Sequence, residues 1–141
     1  MILLDTNVVS DSSRPRPHPS VRRWLSAQRQ ADLFICTPVL AELKYGVERL
    51  DQGPRRTFLE QWLAQIEIDG FSDRILMFDR RAAHEFGAVL HLRISTGRPI
   101  KTMDAIIASI AKAEGTTLAT RDIADFANLD LELVNPFEFV G

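Results

Sequence analysis

Met1-Ile2-Leu3-Leu4-Asp5-Thr6-Asn7 is the stretch on which the fold turns. Ile2–Leu4 is apolar without alternation, the mark of a short strand buried on both faces, and an acid follows at once. The same kind of run recurs at Leu33–Cys36, Ile75–Phe78, Thr117–Thr120 and Leu131–Val134. Amphipathic stretches lie between the runs. Asn7–Ser12 reads as a short helix, and Ser20 as the cap of a helix carrying Val21, Trp24, Leu25 and Gln28. Thr37 and Pro38 open a helix to about Leu50, and a further helix from about Arg55 to Ile66 carries Phe58, Leu59, Trp62 and Leu63. Asp79 caps a helix bearing Ala83, Phe86, Leu90 and Ile94, and Thr102 caps another that Gly115 closes. Apolar strands alternating with helices predict an α/β fold, a parallel sheet covered on both sides. In such a sheet ligands bind beyond the carboxyl ends of the strands, where the strand order reverses.

The acids fall where that rule makes them informative. Asp5 ends the first strand, Glu42 lies about one turn into the helix after the second, and Asp122 follows the fourth, with Asp125 three residues on. Asp104, in the first turn of its helix, joins them only if the preceding connection has already crossed back to the carboxyl edge. Each acid alone has a plainer account, because an Asp at a helix start caps free N–H groups and complements the dipole. Together, carboxylates crowded into one crevice need raised pKa values or a bound cation. Mg²⁺ or Mn²⁺ suits an all-oxygen set, and the matching chemistry is metal-assisted hydrolysis of a phosphodiester. Thr6, Asn7 and Thr120 stand beside the acids as small polar groups able to orient them, or serve as ordinary turn residues.

The totals set bounds. At 141 residues, 45% hydrophobic and 26% charged, residues 1–141 read as one globular domain. A net charge of −2 excludes a generally basic coat, so any nucleic acid would be met by local basic residues. The single cysteine, Cys36, excludes an internal disulfide and reads as a buried thiol. His18 lies in the Pro-rich loop Arg14–Pro19, and His84 and His91 are seven apart on one helix, so no His–nucleophile pair stands out. The early Asp5 argues against a signal peptide, and no run reaches the ~18 apolar residues of a membrane span, which leaves the cytoplasm as the expected location.

Four segments, in order, resemble the motifs of PIN-domain nucleases: Leu3-Leu4-Asp5-Thr6-Asn7, Thr37-Pro38-Val39-Leu40-Ala41-Glu42-Leu43, Thr102-Met103-Asp104-Ala105-Ile106-Ile107-Ala108 and Thr120-Arg121-Asp122-Ile123-Ala124-Asp125-Phe126. The resemblance spans nearly the whole chain and leans to VapC-type toxins of toxin–antitoxin pairs, in the FitB or plasmid-stability branch. It implies a three-layer α/β/α domain with a five-stranded sheet of order 3-2-1-4-5, which brings Asp5, Asp104 and Asp122 together. It implies Asp5, Glu42, Asp104 and Asp122 as catalytic residues, with Asp5, Asp104 and Asp122 on the metal. Many relatives carry Asn at the position of Asp122, so Asp122 and Asp125 compete for the fourth place; Asp122 is favoured, with Asp125 in a supporting role. The resemblance further implies a homodimer, an RNA substrate such as tRNA, and a small antitoxin that blocks the site and, with the toxin, binds promoter DNA.

Arg14, Arg16, Arg98, Lys101 and Arg121 flank the motifs and are candidate RNA contacts. Three other readings stay open. Another Mg²⁺-dependent phosphoryl-transfer enzyme would want a second Asp where Asn7 stands, or a Lys after a later strand. A non-catalytic module of the same fold would use the acids to dock a basic partner. A subunit acting through DNA is disfavoured by the balanced charge and the lack of a helix-turn-helix pattern.

Overall fold

The computed structural model describes residues 1–141. The chain folds as β1 (Ile2–Leu4), α1 (Thr6–Asp11), α2 (Pro19–Ala27), β2 (Leu33–Cys36), α3 (Thr37–Glu48) and α4 (Pro54–Gln65). After a π-helical turn at Ile66–Gly70 come β3 (Ile75–Leu76), α5 (Arg80–Ser95), α6 (Thr102–Glu114), β4 (Thr117–Ala119) and β5 (Leu133–Val134). The five strands run in the order β3-β2-β1-β4-β5, and every neighbouring pair is parallel. Helices cover both faces, so the expected three-layer α/β/α arrangement and strand order hold. Leu3, Leu4, Ile35, Cys36, Leu118 and Ala119 are buried, as strands covered on both sides must be.

The order reverses between β1 and β4. Ile2 pairs with Thr117, Leu3 with Leu118 and Leu4 with Ala119. The next residue, Asp5, still donates its N–H to the Ala119 carbonyl at 2.9 Å before the chain turns into α1. Thr120 likewise reaches the Val134 carbonyl with its N–H at 2.9 Å. Asp5 and Thr120 therefore leave adjacent strands side by side at the carboxyl edge.

The conditional placement of Asp104 is met by α5. Arg81 in the first turn of α5 pairs with Glu114 at the last position of α6, so the two helices pack as an antiparallel hairpin. Helix α5 makes the return crossing, and α6 begins at the end of the hairpin where Asp104 meets the other acids. Gly115 closes α6 in the left-handed conformation, φ 63°, that glycine adopts freely.

Several boundaries differ from the sequence reading. Helices α2, α3 and α6 are capped by His18, Cys36 and Lys101 rather than by Ser20, Thr37 and Thr102. The three hydroxyl residues are already helical, because the chain bends into helical geometry one or two residues earlier. Pro19 and Pro38 fit that entry, since their fixed φ suits the first helical turn. Strand β3 stops at Leu76, and Met77 and Phe78 turn outward to solvent. The inward row of α5 is Ala82, Val89 and Arg93, with Phe86 partly buried; Ala83 and Ile94 face solvent. On α4 only Leu63 is fully buried, and Phe58 is half exposed.

Candidate active site

Asp5 is the centre of the crevice. It is 4% exposed and sits at the cap position of α1, where Oδ1 accepts the Thr6 N–H at 2.8 Å. Oδ2 accepts the hydroxyl of the fully buried Thr120 at 2.7 Å and, at 3.4 Å, the side-chain amide of Asn7. The plain capping role and a place in an acidic site thus fall on one side chain. Burial pushes the Asp5 carboxyl above its ordinary range; the Thr120 and Thr6 bonds oppose the rise, and Glu42 and Asp122 add to it.

Around Asp5 the other groups form a linked set. The Thr6 hydroxyl donates to Glu42 Oε1 at 2.7 Å, which ties the first turn of α1 to α3. The Asn7 amide also donates to Asp122 Oδ2 at 3.0 Å, and Asn7 Oδ1 accepts the Arg121 N–H at 3.1 Å. Thr120 Oγ1 in turn accepts the Asp122 N–H at 3.0 Å. Thr6, Asn7 and Thr120 therefore each bind a carboxylate of the set directly.

Asp104 has a different environment. Its carboxyl takes part in none of the side-chain hydrogen bonds, and its pKa is raised to about 6 by partial burial and then by the charges of Asp5, Asp125 and Glu42, with Lys101 opposing. Asp125 shares a small pocket of about 100 Å³ with Asp104, Lys101 and the side chain of Arg93. The structure thus brings both contenders for the fourth acid to the site, from opposite sides: Asp122 toward Asp5 and Asp125 toward Asp104. The carboxylates do not close into a ready cage of three ligands. They form an all-oxygen donor set whose negative charge only Lys101 offsets among the charges acting on Asp104, and none offsets on Asp5. An all-oxygen donor set of this kind suits a hard divalent cation rather than a soft one.

The flanking basic residues divide. Lys101 lies on the Asp104 side, and Arg121 lies beyond Asp122 with its guanidinium 4.6 Å from the centre of the Phe137 ring. Arg14 is 3.7 Å from the Asp11 carboxylate, and Arg16 is exposed in the same loop. Arg98 is exposed, and its carbonyl accepts Nε of Arg93 at 2.7 Å. Cys36 is buried with its thiol pushed up to about 12, and His84 and His91 are exposed on α5; none of them belongs to the site.

Two groups escape the sequence reading. Arg93 is 4% exposed and donates to the carbonyls of Asp125 and Ala127 at 2.7 and 3.1 Å, so it fixes the segment that presents Asp125. Its signal was a charged residue continuing the row Ala82, Phe86, Val89 at helical spacing. Phe137 carries Arg121 on its face and the His18 ring against it at 5.4 Å; nothing in its sequence neighbourhood marks that contact.

Comparisons with known proteins agree with the geometry. The family model described as the PIN domain matches residues 2–131. Toxin FitB of Neisseria gonorrhoeae is 36% identical over 137 residues, covering 97% of this chain and 99% of that protein. VapC ribonuclease Y4jK of Sinorhizobium fredii is 33% identical over 138 residues, covering 98% and 99%. A solved structure of FitAB bound to an IR36 DNA fragment superposes with a TM-score of 0.93 at 33% identity, over 100% of this chain and 99% of that one. With the strand order, the four motifs in place and these full-length matches, the chain belongs to the PIN-domain family, in the branch that includes FitB and VapC.

Proposed function

We propose that this chain is a divalent-metal-dependent endoribonuclease and the toxin of a type II toxin–antitoxin pair, formed by residues 1–141 as one catalytic domain in the cytoplasm. The observation that carries the reading is the set of carboxylates gathered at the reversal point of the sheet, where burial and then the neighbouring acids raise the pKa of Asp5 and Asp104. Relatives of matching length include one named a ribonuclease and one named a toxin. No helix is long and apolar enough to cross a membrane.

Asp5, Asp104 and Asp122 would hold Mg²⁺ or Mn²⁺, with Glu42 completing the catalytic set. When bound, the ion lowers the pKa of a water and neutralises charge that develops on the phosphate. The chain's own residues prepare the place. Thr120 and the Thr6 N–H fix both oxygens of Asp5, Thr6 fixes Glu42, and Asn7 couples Asp5 to Asp122 so that neither swings freely. Asp104 carries no such bond, and a bound cation would supply its partner.

An antitoxin fits the apolar groove of about 200 Å³ that runs from Leu59, Trp62 and Val47 up to Thr6 and Glu42. A segment lying there ends at the acids, where a guanidinium takes the place of the cation. The related FitAB complex is bound to DNA, which supports promoter binding by the complex of toxin and antitoxin. The chain acts as a homodimer, consistent with the exposed Tyr45, Phe58 and Ile94.

The test is cleavage of total cellular RNA by the purified chain, free of antitoxin, with Mg²⁺, with Mn²⁺ and with EDTA. Discrete fragments that vanish in EDTA and in Asp5→Asn and Asp104→Asn are expected. A folded protein that binds the metal by calorimetry yet cuts no RNA would turn the reading toward a non-catalytic module.

A further inference from the structure

Helix α2 and the C-terminal segment border an open groove of about 550 Å³ that the acidic crevice does not use. Pro19, Arg22, Arg23 and Ser26 line it at the spacing that shares one helix face, and Phe139 lines the other side. No carboxylate side chain lines it. Arg22 and Arg23 are exposed and make no ion pair, and Arg23 reaches only the Ser20 hydroxyl, at 3.3 Å. Arg29, Arg56 and Arg81, by contrast, are paired with Asp32, with Glu48 and Glu60, and with Asp79 and Glu114. In a chain of net charge −2, two adjacent guanidinium groups without an ion pair, on one helix face beside Phe139, concentrate positive charge locally.

The groove is joined to the acids by a line of contacts. Asn7, which holds Asp5 and Asp122, also holds the Arg121 N–H. The Arg121 guanidinium lies over Phe137, the His18 ring meets the edge of the same Phe137, and His18 caps α2 through Nδ1 to the Ser20 N–H at 3.2 Å. Cation and aromatic groups therefore lead from the crevice to the groove, and beyond Asp122 the one carboxylate that meets the line is the buried Asp11, which accepts the His18 N–H at 2.9 Å.

We propose that this groove is a second RNA subsite, which holds the sugar–phosphate backbone of a single-stranded segment flanking the scissile bond. The inference rests on the ribonuclease reading. An acidic crevice repels a polyanion, and phosphates held by Arg22 and Arg23 offset that repulsion without placing a cation among the metal ligands. Phe139, which lines the groove, offers a ring against which an unstacked base can lie, which favours single strands over a duplex.

The experiment uses a 5′-fluorescein-labelled single-stranded RNA of mixed sequence. Its binding to the cleavage-disabled Asp104→Asn protein is followed by anisotropy across a salt series, and cleavage is followed with the otherwise unaltered chain. Replacing Arg22→Gln and Arg23→Gln together is expected to weaken binding about tenfold and to reduce the salt slope by about 1.4, two phosphate contacts on a single strand. In cleavage, KM rises by a similar factor and kcat changes less than about twofold. Arg49→Gln with Arg80→Gln removes the same charge elsewhere and leaves the slope unchanged. If the wild-type chain cuts RNA but the Arg22/Arg23 variant keeps its KM and slope, the subsite is overturned and the ribonuclease reading stands. Equal losses in both double variants would reduce the effect to net charge and overturn it as well. Unchanged RNA binding with loss of affinity for a polyglutamate peptide would assign the groove to an acidic protein segment instead. A wild-type chain that neither binds nor cuts RNA would remove the ribonuclease reading itself.

Discussion

Asp5 and Asp104 occupy the same crevice under opposite conditions. Asp5 is almost fully buried and is held by an N–H, a hydroxyl and an amide. Asp104 is half-buried, with no side-chain hydrogen bond, and its carboxyl is raised to about 6. One half of the site is prearranged by the protein and the other is left for a ligand to complete. Stabilising groups are spent on the acid that is hardest to keep charged, since burial alone opposes its ionisation. The half left incomplete is the half where like charges act on an acid without a hydrogen-bond donor, the repulsion that the proposed cation would relieve.

Removing the prearranged acid tests the comparison most severely. Asp5→Asn keeps the shape and most of the hydrogen bonds but deletes the charge at the centre. RNA cleavage is expected to fall by about three orders of magnitude, the scale of losing a principal electrostatic element of a phosphoryl site. Circular dichroism should show an unchanged fold. A variant retaining a tenth of the activity would move the centre of the site away from Asp5.

Asp104→Asn should separate activity from stability. Activity falls by about two orders of magnitude. Stability moves the other way in the metal-free protein. The folded pKa of about 6 lies above the ordinary 3.8, so the folded state binds this proton more tightly than the unfolded state does. The ionised carboxyl therefore destabilises the fold. Its contribution is harmless below pH 4, grows as pH rises toward 6, and is constant above. Because the group is partly exposed, solvent screening reduces the effect. In EDTA the variant is expected to melt a few degrees higher at pH 7, about 3 °C for a stabilisation near 1 kcal/mol. At pH 4 the two proteins should melt together. A lower melting point at pH 7 would mean that Asp104 is supported in the fold by something other than a ligand.

The rival fourth acids sharpen the contrast, since each sits on one half. Asp122 is linked to Asp5 through Asn7, and Asp125 acts on Asp104 through charge alone. Asp122→Asn is expected to lower the plateau of activity about a hundredfold at every pH. Asp125→Asn removes a like charge from Asp104 and should move the acidic limb of the pH–rate profile to lower pH, with a plateau loss below about tenfold. An exchange of these two patterns would make Asp125 the fourth ligand.

Much of this is legible in the amino-acid sequence, for a physical reason. Strands covered on both faces leave uninterrupted apolar runs, and Asp5, Glu42 and Asp122 stand at fixed offsets from them. Asp104 could not be placed by the same logic, because its position depends on α5 returning across the molecule, a matter of helix packing marked by the Arg81–Glu114 pair. The α5 face was misjudged for a related reason. Arg93 spends its charge on backbone carbonyls and occupies a core position, so a row drawn through apolar residues alone slips by one. Caps at Cys36 and Lys101 bond no N–H with their side chains, and such entries leave no residue preference to detect.

The smallest predicted effect concerns the support rather than the acids. Thr120 is fully buried, and its one hydroxyl donates to Asp5 while accepting the N–H of Asp122. Thr120→Val keeps the volume and removes both bonds. The Asp122 N–H belongs to an exposed residue and can turn to water, whereas Asp5 loses a donor in a place water does not reach. The loss therefore falls on the charged form of Asp5, and its pKa should climb further. Metal affinity is expected to drop about tenfold, as when a group that orients a ligand is lost, while kcat at saturating metal changes only severalfold. Thr120→Ser, which restores the hydroxyl, should recover the affinity. If Thr120→Val binds metal like the wild type, the bonds to Asp5 serve the fold and not the site, and the division between a prearranged half and an open half would have to be drawn elsewhere.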